Sequence, residues 1–338
     1  MTRTQFLRLL LLAPLGGQRL AAAPGGFDRS LAFLLGRQSA DGAWRSDAYG
    51  AFRDGRALTP IVLRCLSRVP DRSLDEARAR AARWLVSRGD ELLGTFPIHL
   101  AAALLETMPR VEALSPLRSK AVGRLLELQA PGGGWSYSPL PPPARGPLPA
   151  MQQPNVSATA IALDGLHAAG CREFDDPRPF LGTCHNHDRG DPSFDDGGFF
   201  QLPDDPARNK AGRAGTDRHG GTRYRSYAAA TADGLRALLA CGEDPGAARP
   251  AAARRWLGGF AWSPGATPSD LSYYTARSIA LAAAFPGGGP GNIDALAPAV
   301  AAARGPDGSW RNPAGEMRED CPLVATALAL EAMTLAAL

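Results

Sequence analysis

The chain has 338 residues, with 37 Lys and Arg against 33 Asp and Glu for a net charge of +4, and 45% of its residues are hydrophobic. Charge this close to balance argues against nucleic acid as a partner, and a chain of this size buries a sizeable core without covalent staples. The five cysteines, Cys65, Cys171, Cys184, Cys241 and Cys321, are odd in number, scattered and free of any Cys-x-x-Cys pair, which excludes a disulfide framework and a zinc ribbon.

Residues 1–23 read as a signal peptide rather than as part of the fold. Arg3 and Arg8 precede the apolar run from Leu9 to Leu15, and Ala21, Ala22 and Ala23 supply small residues just ahead of Pro24. The run is too short for a permanent span, so the mature chain is expected to begin near residue 24, in the periplasm or outside the cell, without a transmembrane anchor. The stretch Arg3-Thr4-Gln5-Phe6-Leu7-Arg8 resembles a twin-arginine export signal whose second arginine is threonine, which leaves the Sec route open. The segment carries Arg3, Arg8 and Arg19 and no acid, so its removal takes the net charge from +4 to +1. Export would leave Cys171 and Cys184 able to pair.

From there the chain repeats at a spacing of about fifty residues. Gln38, Gln129 and Arg304 are each followed by three spacers, a glycine (Gly42, Gly133, Gly308), one spacer and a tryptophan (Trp44, Trp135, Trp310). A fourth copy ends Gly197-Gly198-Phe199, and weaker units lie at 74–108 and 247–285, making six. Each unit reads as helix, glycine turn, loop and second helix. The glycine lets the chain leave the first helix in a left-handed turn, and the aromatic is expected to pack back over the polar side chain. The second helices, at 60–66, 97–108, 156–169, 227–241, 271–285 and 322–335, are rich in alanine and apolar on every side, so protein must surround them. The predicted fold class is therefore all-α: an (α/α)6 toroid of six helical hairpins in one domain, residues 24–338, with an inner ring of parallel helices inside an outer ring.

The glutamine-to-tryptophan pattern resembles the QW repeat of squalene and oxidosqualene cyclases and the related repeat of protein prenyltransferases, over nearly the whole mature chain. The resemblance implies the α/α toroid of that superfamily. The segments from Arg225 to Leu239 and from Trp310 to Pro313 resemble a bacterial branch of exported proteins known by their repeats rather than by an activity. Squalene-hopene cyclases carry Asp-x-Asp-Asp-Thr-Ala at the start of an inner helix. The matching stretch here is Asn155-Val156-Ser157-Ala158-Thr159-Ala160, where Thr159-Ala160 agree and all three carboxylates are gone. Asparagine and serine cannot protonate an alkene, so squalene cyclisation is not expected. Prenyltransferases hold zinc with Asp, Cys and His; Glu319-Asp320-Cys321 echoes that set without a following histidine, and no metal or other cofactor is expected.

Two connections between a glycine turn and its inner helix are long, 136–154 and 200–226, and repeat folds often build a binding face from such insertions. The candidate ligand-binding residues are placed at that mouth: Asn155, Ser157, Tyr224, Arg225, Tyr227, Asp270, Tyr273 and Tyr274. Asn155 and Ser157 read as helix caps or as ligand contacts; the tyrosines, with Trp262, read as cavity wall or as packing between helices. His99 reads as a core residue or a cavity residue. Arg213, Arg218, His219, Arg223 and Arg225 make the second loop basic, offset by Asp204, Asp205 and Asp217. The run Cys184-His185-Asn186-His187-Asp188 holds metal-ligand residue types with no distant partner. The expected ligand is an isoprenoid or other apolar small molecule in the central cavity. A polysaccharide lyase or hydrolase, using Tyr273 or Tyr274 with Arg225, and a non-catalytic scaffold are the alternatives.

Overall fold

In a computed structural model, the structure describes residues 27–337 apart from 95, 266–270, 314 and 316. The predicted signal peptide and Asp270 lie outside the described residues. Twelve α-helices follow in order among the described residues: α1 (Phe27–Leu35), α2 (Leu58–Arg68), α3 (Asp75–Arg88), α4 (Pro97–Thr107), α5 (Arg118–Glu127), α6 (Val156–Ala168), α7 (Arg178–Thr183), α8 (Ala228–Ala240), α9 (Ala248–Gly258), α10 (Ser272–Ala283), α11 (Leu296–Ala302) and α12 (Pro322–Ala336). The even-numbered helices pack on one another in sequence, and α12 returns to α2. They form a closed inner ring with the odd-numbered helices around it, which is the predicted (α/α)6 toroid. Every residue of α8 is buried, whereas α3 turns only Ala77, Ala81, Ala82, Trp84 and Leu85 inward. That contrast is the one between an all-apolar and an amphipathic helix. None of these helices is long and apolar enough to cross a membrane.

The glycine turns are the fasteners of the ring. Trp44, Trp135 and Trp310 are almost fully buried, and each indole N–H donates to an outer-helix carbonyl ten residues earlier: Leu34, Leu125 and Val300, at 2.7, 2.7 and 2.8 Å. The backbone N–H groups of Trp44, Trp135, Phe199 and Trp310 donate to Thr59, Thr159, Thr231 and Thr326 on the adjoining inner helix, at 3.0 to 3.1 Å. In the last unit the aromatic lies by its polar partner as expected, the Arg304 guanidinium standing 5.9 Å from the Trp310 ring centre. The Gln38 and Gln129 amides also cross to the next hairpin, donating to Ala77 O and Asp175 O. The last turn closes the circle: Ser30 Oγ of α1 donates to Gly308 O at 2.6 Å.

Two features depart from the sequence reading. The basic loop contains a small antiparallel hairpin, β1 (Arg213–Thr216) with β2 (Thr222–Tyr224), its tip tied by Asp217 Oδ1 accepting from the N–H groups of His219 and Gly221. All five cysteines are free, so Cys171 and Cys184 are not joined. The fifth unit also breaks the pattern. The Trp262 indole donates to Ser272 O, and the hydroxyl of the matching threonine, Thr275, is buried with no partner among the described residues.

Candidate functional site

A cavity of about 250 Å³ occupies the ring centre. Its lining comes from the N-terminal halves of inner helices and the segments just before them: Ile61, Leu100, Ile161, Val324 and Leu328 form the wall, and Phe52, Phe96, Met317 and Arg318 the rim. Apolar side chains dominate, but Arg64 and Arg277 enter at the floor, with His99 and Tyr274 at the side.

That floor is a belt of buried charge. Arg64 grips Glu331 with two bonds, Nε to Oε1 at 2.9 Å and Nη2 to Oε2 at 2.8 Å, and Arg277 Nε reaches the same carboxylate at 2.8 Å. Arg68 donates to Glu331 at 3.1 Å and to Glu106 at 2.6 Å. Arg277 Nη2 bonds Glu106 Oε2 at 3.1 Å. Since α10 and α4 face each other across the ring, this last pair spans the lumen and closes it at that level. Burial would raise the Glu331 carboxyl, but Arg64, Arg277 and Arg68 hold it down at about 2. On the other side of the ring, Tyr274 donates its hydroxyl to Asp233 at 2.7 Å, Arg236 pairs with Asp233 at 2.9 Å and also with Asp164. Burial lifts Asp164 to about 6 against the pull of Arg236.

The inner helices thus carry charge that the reading of apolar cylinders missed. A signal was present: Arg64, Asp164, Arg236 and Glu331 each stand five residues after the threonine that receives the turn N–H, Thr59, Thr159, Thr231 and Thr326. On a helix that offset turns a side chain about 140° away, from the outer contact toward the lumen.

Of the sequence candidates, Tyr274 borders the cavity. Asn155 caps α6, its Oδ1 accepting from Ala158 N at 2.9 Å and from Gln201 Nε2 at 2.9 Å. Ser157 and Tyr227 both donate to Gln201 Oε1, at 3.1 and 2.8 Å, so the four make one satisfied network between α6 and α8. Tyr273 packs on Trp262, and Glu319 caps α10 from a distance by accepting from the N–H groups of Tyr273 and Tyr274. Tyr224 is buried against Phe200, and Arg225 bonds Ala211 O at 3.4 Å near the exposed hairpin. The Cys184 to Asp188 run is taken up by packing, His185 stacking on Phe199 at 4.0 Å. Among the described residues no three His, Cys, Asp or Glu side chains gather as a metal site.

His99 turns out to be a cavity residue, stacked on Tyr137 at 5.0 Å. Burial, with the charges of Arg64 and Arg277 behind it, lowers its pKa to about 4, so the ring is neutral. The expected result of an NMR titration is that His99 remains unprotonated at pH 5.5, where an unperturbed imidazole with pKa about 6.5 is mostly charged. A midpoint near 6.5 would show that His99 is neither buried in the cavity nor faced by the arginines.

No protein-family model matches the chain, and no curated protein sequence matches it. Solved structures do. Variants of the type II terpene cyclase MstE from Scytonema, bound to the substrate geranylgeranyl dihydroxybenzoate and to the product merosterolic acid A, are each similar with a TM-score of 0.57. Identity is 15% and 16%, and 99% of each chain is covered. The GH76A α-1,6-mannanase from Salegentibacter sp. HEL1_6 has a TM-score of 0.57 at 12% identity, covering 92% of this chain and 98% of its own. At such identities the likeness is one of fold, the α/α toroid.

Proposed function

We propose that this chain is an exported toroid that takes an isoprenoid or comparable apolar molecule into its central cavity without cyclising it by alkene protonation. The observation that carries this reading is the apolar-walled cavity at the ring centre, closed below by the charged belt and bordered by the helix starts. A wall of Ile61, Leu100, Ile161 and Leu328 favours hydrocarbon, because each wall methylene removed from water stabilises the complex and no polar group on the wall goes unpaired. The terpene cyclase of the same fold holds a geranylgeranyl substrate, which supports the ligand class by analogy.

Alkene protonation needs a carboxylic acid that is protonated and pointed at the ligand. Glu106, Glu331 and Asp233 are bound to arginines, Asp164 is bound to Arg236, and the start of α6 offers Asn155 and Ser157 in place of an acid. Hydrolysis by paired carboxylates meets the same objection, since Glu106, Glu331, Asp164 and Asp233 are occupied by guanidinium groups and Glu319 by the N–H groups at the start of α10. The order of charged, apolar and small residues over 1–23 supports export.

Ile161→Trp fills the cavity without touching the belt. Wild-type protein is expected to enhance Nile red fluorescence saturably, and the variant to lose most of that signal while keeping its circular dichroism spectrum. Equal dye binding by the two folded proteins would remove the cavity as the binding site.

A further inference from the structure

The charges around the cavity are unevenly disposed. Its lining includes Arg64, Arg277 and Arg318 and no carboxylate. At the floor three arginines, Arg64, Arg68 and Arg277, share two glutamates, Glu106 and Glu331, which leaves one positive charge in excess. The balancing negative charge lies elsewhere in the ring, where Asp164 and Asp233 share Arg236, and neither aspartate lines the cavity. The belt as a whole is neutral but polarised, positive toward the cavity.

On the cavity lining, Arg277 has a free donor. Arg277 spends Nε on Glu331 and Nη2 on Glu106, and its Nη1 has no partner among the described residues. A ligand that displaces water from that nitrogen costs solvation free energy unless it accepts from it in turn. His99 beside it is a neutral imidazole and adds no competing charge. Arg318 at the rim is exposed and lies over the Tyr49 ring at 4.1 Å, so water screens it and it contributes less to binding.

Building on the proposed cavity function, we infer that the ligand is an amphiphile with a single acidic head group, bound head down. A carboxylate seats on Arg277 Nη1 and Arg64 at the floor, and the hydrocarbon tail runs along Ile61, Ile161 and Leu328 toward the rim. The head brings the one negative charge that the floor lacks. A neutral head of equal length leaves the donor unpaired and the excess charge uncompensated.

The test is calorimetric titration of the wild-type protein at pH 8 with dodecanoic acid and with dodecan-1-ol, which share a tail and differ in the head. The acid is expected to bind at least about tenfold more tightly. Arg277→Gln leaves two arginines facing two glutamates, a balanced set expected to fold, and should bring the two affinities within about twofold. Equal affinities in the wild-type protein, or a preference that survives in folded Arg277→Gln, would overturn the inference while leaving the apolar cavity in place. Failure of both compounds to bind, with no difference between wild type and Ile161→Trp toward Nile red, would overturn the cavity function and this inference together.

Discussion

Replacing Glu331 with glutamine is expected to lower the free energy of unfolding by about 3–5 kcal/mol, the usual cost of removing one partner from a buried ion cluster. Glu331 is fully buried and takes bonds from Arg64, Arg68 and Arg277, so the substitution leaves three arginines with Glu106 alone among the floor carboxylates. Asp47→Asn is the control. Its pair with Arg53 is 3.7 Å long with side chains 68% and 99% exposed, and its loss should be close to undetectable in the same urea titration. The acid limb of the stability profile carries the same information. The folded carboxyl near 2 lies below its ordinary value of 4.5, so its contribution of about 3 kcal/mol is complete above pH 4.5 and is lost as pH falls through about 2. Glu331→Gln should flatten that part of the curve. A loss below about 1 kcal/mol would mean that water, not protein, solvates the three arginines.

How much of this was readable in advance depended on whether the signal was local. Trp44, Trp135 and Trp310 with their glycines identified the hairpins, because turn chemistry acts within a few residues, and the alanine-rich helices identified the inner ring. Asn155 was readable as a cap for the same reason. The interior surface was not readable, since a helix apolar on every side gives no moment from which to fix its rotation. Tyr273 and Tyr274 show the difficulty: they are neighbours in sequence about 100° apart on the helix, and only Tyr274 reaches the cavity. Arg277 was hidden by a further irregularity. It stands two residues after Thr275, in the unit whose tryptophan bonds Ser272 O instead of offering its N–H to that threonine. The five-residue offset that marks Arg64, Asp164, Arg236 and Glu331 therefore does not find it.

The second large effect is expected at Gly133, and its neighbour Gly132 serves as an internal reference. Both have φ in the left-handed region, +94° and +93°, so alanine at either strains the backbone by roughly 1–2 kcal/mol. Around Gly132 an added Cβ meets nothing within 4 Å. At Gly133 it would stand 2.2 Å from Asp176 O and 2.8 Å from Pro177 Cα, main-chain atoms at the entrance to α7 that cannot step aside as a side-chain tip can. Gly133→Ala must therefore push the third hairpin away from the fourth, breaking the Gln129 amide bonds with Asp175 that hold them together. Overpacking of this kind adds about 1–3 kcal/mol to the strain, so thermal unfolding should rank wild type, then Gly132→Ala, then Gly133→Ala, with a clear gap between the two variants. If the variants melt together, the hairpins are not in backbone contact at the turn, and the explanation of the glycine as the point where neighbouring units touch fails. The same geometry recurs at Gly308, where a Cβ would lie 2.6 Å from Arg29 O of α1. The substitution there acts on the joint between the last hairpin and the first, so its cost measures how far the closed ring is stabilised by its own closure.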